Sequence, residues 1–271
     1  MKCSTLELLC CPNCQGALSP RGARRDGMVD DGELFCSRCE RSFLIRNGIA
    51  HFTSPQELEG LNHRFALFYE RYSRFGAIFD KLSFLPMGGE RKARMEILRR
   101  LELNGGRVLE VSIGSGGNLP YLFESSKVSE VHGLDISAAQ LTRCRRFVEK
   151  RRWQVDLILG MAEQLPFKAE SFDSVFHIGG INFFSEKEKA IHEMIRVARS
   201  DSKIVIADES ERVAQLIARI LRLSHSNQGR NVDTSVPVRL VPETMEEIRA
   251  DGIWKCHGQF HGYCLEFRKP A

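Results

Sequence analysis

Residues 108–122, VLEVSIGSGGNLPYL, read as an apolar strand, a glycine-rich turn and the start of a helix. Glycines in such a turn accept positive φ and let a ligand approach the backbone closely. The pattern continues along the chain. From Arg107 onward, RVLEVSI, EVHGLDI, VDLILG, FDSVFHI and KIVIAD have strand character. Helical segments lie among them, at residues 118–125 and in SAAQLTRCRRFVEKRR, SEKEKAIHEMIRVAR and ERVAQLIARILRL. This alternation predicts an α/β fold with a Rossmann-like, doubly wound and mostly parallel sheet. Such sheets bind ligands outside the carboxyl ends of their strands, where the strand order reverses.

Two ligand classes use a loop of this kind, and spacing separates them. A dinucleotide fingerprint requires G-x-G-x-x-G. Gly114 and Gly116 open one register, but position 119 is Leu; a register starting at 112 begins with Ser. S-adenosylmethionine carries no phosphate. It needs an acid on the strand, a loop of little bulk, and a second acid ending the next strand. Glu110, Gly114, Gly116 and Asp135 supply these. Asp135 stands where an acidic residue accepts hydrogen bonds from ribose hydroxyls.

On these residues, the segment 105–210 resembles class I S-adenosylmethionine-dependent methyltransferases, particularly their ubiquinone/menaquinone C-methyltransferase-like branch. VLEVSIGSGGNL corresponds to the first family motif, VHGLDIS to the second, and GMAEQLPFKAESFDSVF to the third and fourth. The resemblance implies a donor site formed by Glu110, Ser112, Gly114, Gly116, Asp135 and Ile136, with Ala162 and Glu163 flanking the adenine. Ser112 stands where the family usually has its first glycine, so the loop is expected to persist with a modest adjustment around the amino-acid tail.

Methyl transfer from a sulfonium needs positioning above all, and a base only where the acceptor must lose a proton early. The loop HIGGINFFSEKEK follows the fourth strand. There His177 is a candidate base or substrate ligand, and Asn182 a candidate hydrogen-bonding group. Gly179 and Gly180 permit close approach of a ligand, and Phe183 and Phe184 suit either an apolar substrate or the core. Upstream, Phe65, Phe68, Tyr69, Tyr72 and Phe75 share a helical face. That face reads as core packing or as a lid, with Tyr72 the candidate that touches the acceptor. The next helix, ERKARMEILRRLEL, is expected to turn Met95, Leu98 and Leu101 inward.

The first 53 residues tell a separate story. Four of the nine cysteines form two Cys-x-x-Cys pairs, Cys11/Cys14 and Cys36/Cys39. Paired knuckles of this spacing hold a structural zinc ion in a closed tetrahedron. Gly16 is expected to supply a positive φ, and the Asp-Gly pairs of DGMVDDGEL suit hairpin turns. Cys3 and Cys10 read as core residues. The segment LLCCPNCQGAL…LFCSRCERSFLIRNGIAHF resembles the small zinc-binding domains that precede or partner certain methyltransferases. A protein partner through the ribbon fits that resemblance. Seven Lys and Arg face six Asp and Glu over residues 1–53. A zinc tetrathiolate adds negative charge, so the ribbon makes a poor footprint for RNA.

A net charge of +4 demands no anionic partner. No apolar run suggests a membrane span or a secretion signal, which points to a cytoplasmic protein. The basic stretch from Arg143 to Arg152 reads as a solvated helix end, where positive charge suits the helix dipole. Cys256, His257, His261 and Cys264 have ligand-like composition, but hairpin residues in alternating environments account for them. The expected organisation is a zinc ribbon over 1–53, a helical linker or lid over 54–104 and a methyltransferase domain over 105–271. The expected acceptor is a small, partly apolar molecule. The rivals are an rRNA or tRNA base methyltransferase, weakened by HIGGIN standing where an Asn/Asp-Pro-Pro-aromatic motif would be, and a non-catalytic donor-binding scaffold.

Overall fold

Every strand read between Arg107 and Asp208 is present, and all join one sheet. The computed structural model describes residues 1–22, 26–67, 70, 84–124, 128–220 and 235–271. The ribbon contributes helix α1 (Cys3–Leu6) and strands β1 (Leu18–Arg21), β2 (Gly32–Cys36), β3 (Ser42–Arg46) and β4 (Ile49–His51). A helix α2 is described over 60–67, and α3 spans Glu90–Leu98. The central unit then runs β5 (Arg107–Val111), α4 (Leu119–Glu124), β6 (Glu130–Asp135), α5 (Ala138–Arg151) and β7 (Val155–Leu159). It continues with β8 (Phe172–Ile178), α6 (Lys187–Val197), β9 (Ala198–Glu209) and α7 (Glu211–Ile220), and ends in the hairpin β10 (Glu246–Cys256) and β11 (Gln259–Arg268).

Among the described residues the sheet has eleven strands in the order β1-β2-β3-β4-β7-β6-β5-β8-β9-β11-β10. The run from β4 to β9 is parallel, whereas the ribbon strands and the terminal hairpin pair antiparallel. The order reverses between β5 and β8, which places the crevice at their carboxyl ends. The burial of β5 to β8 explains their near-continuous apolar sequence, since helices cover both faces of a parallel sheet. One face buries Phe167, Phe172, Ile191 and Met194; the other buries Ile97, Leu119, Leu141 and Phe176.

Two local expectations need correction. In α3 the buried residues include Ala93, Arg94 and Ile97 with Leu98, while Met95 is only half-buried. Arg94 is drawn inward by polar partners described below. In the first knuckle the positive φ belongs to Gln15 (56°), not to Gly16. Gly16 is required for a different reason: a Cβ there would lie 3.0 Å from Cys36 Sγ and 3.2 Å from Cys14 Sγ.

The ribbon is joined to the rest of the sheet. β4 pairs in parallel with β7, matching Ile49 to Leu157 and His51 to Leu159. Cys10 N–H donates to Pro166 at 3.0 Å, and Lys168 N–H to Leu8 at 2.8 Å. Asp156 on β7 is buried and accepts from Thr5 Oγ1 at 2.6 Å and from Lys2 N–H at 2.9 Å. Met1, Leu9, Leu34 and Phe43 share one apolar core with Phe167 and Phe172. Removing the Asp156 carboxylate leaves two donors unmatched at this seam. Hydrogen bonds to a charged group contribute about 1.5–3 kcal/mol each, so losing both in Asp156→Ala should lower stability by roughly 3–6 kcal/mol. Amide exchange should accelerate at Ile49–His51; unchanged exchange there would show that the seam does not depend on Asp156.

Candidate functional site

The glycine loop leaves β5 through three residues in the left-handed region: Ser112 (φ 63°), Gly114 (57°) and Gly116 (85°). The position expected to differ from the family thus keeps the glycine-like backbone, at a conformational cost of about 1–2 kcal/mol for a residue with a Cβ. Gly114 and Gly116 serve different ends. A Cβ on Gly114 would meet nothing within 4 Å, so the loop is open to a ligand there. A Cβ on Gly116 would lie 2.8 Å from Leu119 Cδ1 and 3.0 Å from Cys144 Sγ, so that glycine lets the loop pack onto α4 and α5.

Asp135 ends β6 and is buried. Its Oδ2 accepts from Gly114 N–H at 2.8 Å and its Oδ1 from Ser137 N–H at 2.9 Å. Burial pushes the carboxyl up to about 6 against the pull of those amides. Each oxygen keeps a further lone pair for a ribose hydroxyl. Ile136 is half-buried beside it.

Glu110 lies on β5 and is buried, and burial pushes it up to about 8. Its Oε1 accepts from Asn118 Nδ2 at 2.6 Å, while Oε2 has no partner among the described residues. Asn118 accepts in turn from Arg94 Nη1 at 2.8 Å, and Arg94 Nε donates to Glu90 at 2.9 Å. A Cβ at Gly117 would come within 2.7 Å of Arg94 Nη2, so the guanidinium lies against the loop. A buried acid with a spare oxygen and a guanidinium along the same loop suit an ammonium and a carboxylate, the two ends of an amino-acid tail. Sequence reasoning missed Arg94, whose only local signal was a cation on the apolar side of an amphipathic helix.

The far wall follows β8. His177 is fully buried, and its Nδ1 lies 2.9 Å from the Val111 carbonyl. A carbonyl only accepts, so Nδ1 carries the proton and Nε2 keeps its lone pair. Nε2 has no partner among the described residues. Burial holds the imidazole below its ordinary value, so it is neutral at pH 7. Asn182 is buried, with its N–H given to Asp208 Oδ2 at 3.0 Å and its Oδ1 unpartnered among the described residues. Asp208, which sequence reasoning also missed, shapes the loop by accepting from Gly180 N–H at 3.0 Å as well. A Cβ at Gly179 or Gly180 would meet nothing within 4 Å.

Ala162 and Glu163 follow β7 and are buried. Glu163 Oε1 is engaged by Asn62 Nδ2 at 2.9 Å and by Ser185 N–H at 3.1 Å, which ties α2 to the loop before α6. Phe65 of α2 stacks on Phe183 at 4.4 Å between centroids, and Phe184 stands edge-on to His177 at 5.1 Å. Tyr72, with Phe68, Tyr69 and Phe75, lies outside the described residues.

The Sγ atoms of Cys11, Cys14, Cys36 and Cys39 lie within 4.8 Å of one another. Four thiols gathered on two knuckles, with Gly16 kept bare beside them, fit one tetrahedral zinc ion with no open coordination position. Cys10 is buried outside this set, as expected. Cys256 and His257 approach each other at 3.1 Å on the terminal hairpin and form no larger ligand group among the described residues.

A parallel sheet reversing at a glycine loop, with a buried acid ending the second strand, defines a class I donor-binding α/β domain. Comparison with known proteins gives the same class. Residues 109–206 match the methyltransferase domain family, and residues 2–48 match Trm112p-like proteins. A phosphatidylethanolamine N-methyltransferase of Cereibacter sphaeroides is 32% identical over 151 residues, which cover 53% of this chain and 67% of that protein. A demethylmenaquinone methyltransferase of Renibacterium salmoninarum is 29% identical, over 64% of this chain and 80% of that protein. A phthiotriol/phenolphthiotriol dimycocerosates methyltransferase of Mycobacterium ulcerans is 34% identical over 40% of this chain; the match spans 39% of that protein's length. In fold, the chain is similar to one from the Haloferax volcanii complex of a Trm112 methyltransferase activator, with a TM-score of 0.56 and 13% identity over 74% of this chain and 98% of that one. The chain belongs to the class I S-adenosylmethionine-dependent methyltransferase family and carries a Trm112-like ribbon at its N-terminus. Among the described residues no helix is long and apolar enough to cross a membrane.

The two loop glycines should respond differently to alanine. Gly116→Ala adds backbone strain and a clash with Leu119 and Cys144, and should cost about 2–4 kcal/mol of stability. Gly114→Ala should cost only the strain, about 1–2 kcal/mol, yet weaken donor binding more strongly. Equal losses of melting temperature would argue against this division of roles.

Asp135 gives a pH test. A carboxylate accepts hydroxyl hydrogen bonds best when ionised, so if Asp135 holds the donor ribose, donor affinity should decline as pH falls through about 6. Calorimetry on Asp135→Asn should show at least roughly tenfold weaker binding at pH 7 and no acid limb near pH 6. A limb that persists in the variant would assign it to another group.

Proposed function

We propose that this chain transfers the methyl group of S-adenosylmethionine to a small acceptor with an apolar portion. The observation that carries this reading is the pair of open backbone cradles on neighbouring strands β5 and β8, at Gly114 and at Gly179–Gly180. Glu110, Gly114, Asp135 and the Arg94–Asn118 pair would hold the donor, with Ser112, Gly116, Ile136, Ala162 and Glu163 shaping its surroundings. When bound, the donor supplies a carbon already activated by the sulfonium.

The residues around β8 then orient the acceptor. The unpartnered His177 Nε2 would accept a proton leaving an O–H, N–H or activated C–H group, and the unpartnered Asn182 Oδ1 would fix a second polar contact. Phe65 and Phe183 supply an aromatic wall, and the Glu163 hydrogen bonds hold it in place. The small-molecule reading gains support from relatives named for phosphatidylethanolamine and demethylmenaquinone, both with long apolar portions. The ribbon's β4 is paired with β7, so the ribbon extends the sheet of this chain.

Methyl-labelled donor, incubated in parallel with fractionated apolar small molecules and with RNA, tests the reading. Label should enter the small-molecule fraction. His177→Gln should then lower kcat by about a hundredfold or more, with donor affinity within about twofold of the parent. Label entering RNA instead, in a reaction that collapses with rising salt, would overturn the small-acceptor reading.

A further inference from the structure

The basic stretch at the end of α5 takes no part in the site described above. Between this helix and the ribbon's β3–β4 turn lies a cavity of about 370 Å³. This is within the size range of small-molecule sites. Its floor is apolar, formed by Ile49, Leu141 and Leu159. Its rim is cationic, formed by Arg46 from the ribbon and by Arg145 and Arg146 from α5.

The three arginines are not equivalent. Arg145 is structural: its Nε donates to Glu149 at 2.5 Å and its Nη2 lies 3.8 Å from Asp30. A Cβ at Gly48 would come within 2.2 Å of Arg145 Nη1, so the guanidinium sits tight against the ribbon turn. Glu149, the one acid lining the cavity, is therefore already paired. Arg46 and Arg146 are exposed and have no acidic partner among the described residues. They approach the cavity from opposite sides of the seam and leave its rim with two uncompensated positive charges.

We propose that this cavity is a second ligand site, taking a phosphate-class anion carried on a flat or apolar body, as in a nucleoside phosphate. The guanidinium forks of Arg46 and Arg146 match phosphate oxygens in shape and charge. The apolar floor accepts the body. The site also touches the donor machinery: Leu159 pairs with Asp135 in the sheet, and Ala138 opens the helix that follows it. A ligand here would clamp the ribbon against α5 at the elements that position Asp135.

The test titrates uridine diphosphate and inorganic pyrophosphate by calorimetry into the full, zinc-loaded chain saturated with S-adenosylhomocysteine. Uridine diphosphate should bind saturably, one per chain and more tightly than pyrophosphate. The double variant Arg46→Ala/Arg146→Ala should weaken it at least tenfold. Thr142→Trp, which fills the cavity from an exposed position without altering charge, should do the same. Both variants should keep the parent's melting temperature and S-adenosylhomocysteine affinity. The proposal falls if uridine diphosphate does not saturate, if its binding survives both variants, or if pyrophosphate binds as well as it does. It also falls if a single-stranded oligouridylate binds through Arg46 and Arg146 while uridine diphosphate does not, which would make the seam an RNA-tracking face.

Discussion

One buried carboxylate organises the crevice where the sheet order reverses. Asp135 receives the Gly114 amide through one oxygen and the Ser137 amide through the other. It thereby ties the loop after β5 to the end of β6 and to the first turn of α5. Of the left-handed residues at 112, 114 and 116 it bonds the middle one, while Ile113 N–H adds a second tie from the loop to Leu134 of β6. The group is held in a setting that opposes its own charge, as its raised value shows. That tension is what a ligand can relieve. Hydroxyls arriving at an under-solvated carboxylate replace water it has already lost.

Much of this was legible in the sequence because it is local. Strand β8 matches FDSVFHI residue for residue, since an apolar run bounded by polar turns needs no distant partner to be recognised. Gly114, Gly116 and Asp135 were legible because a strand, a turn and the next strand place them in order along the chain. What was not legible depends on residues far apart in the chain. Arg94 looks like a surface cation until Asn118 is brought beside it. Strand β9 begins at Ala198, well before KIVIAD, because Ala198 pairs with Phe172, and the polar RSDS run carries no sign of that pairing. Asp208 ends a predicted strand, but its role appears only when the loop after β8 folds back onto it.

The ribbon shows the same limit most clearly. Its four ligands can be read from spacing, and the cysteines gather as that spacing implies. Its attachment cannot. The parallel pairing of β4 with β7 joins segments separated by the whole first half of the central unit. It also covers what would otherwise be the open edge of a parallel sheet, a position that unpaired N–H and C=O groups make prone to association. The polar tie of Asp156 to Thr5 and Lys2 adds direction to that contact, because a buried carboxylate accepts only where donors are aimed at it.

One residue of the shared seam also neighbours Asp135. Leu159 ends β7 with His51 of the ribbon on one side and Asp135 of the proposed donor site on the other. A displacement of β4 is therefore a displacement of the strand that flanks Asp135, with no flexible linker between them. The cysteine cluster at the end of β2 and Asp135 at the end of β6 share one continuous hydrogen-bonded ladder through β3, β4 and β7. On this geometry the cysteine cluster is remote from Asp135 and is joined to it through the register of β7.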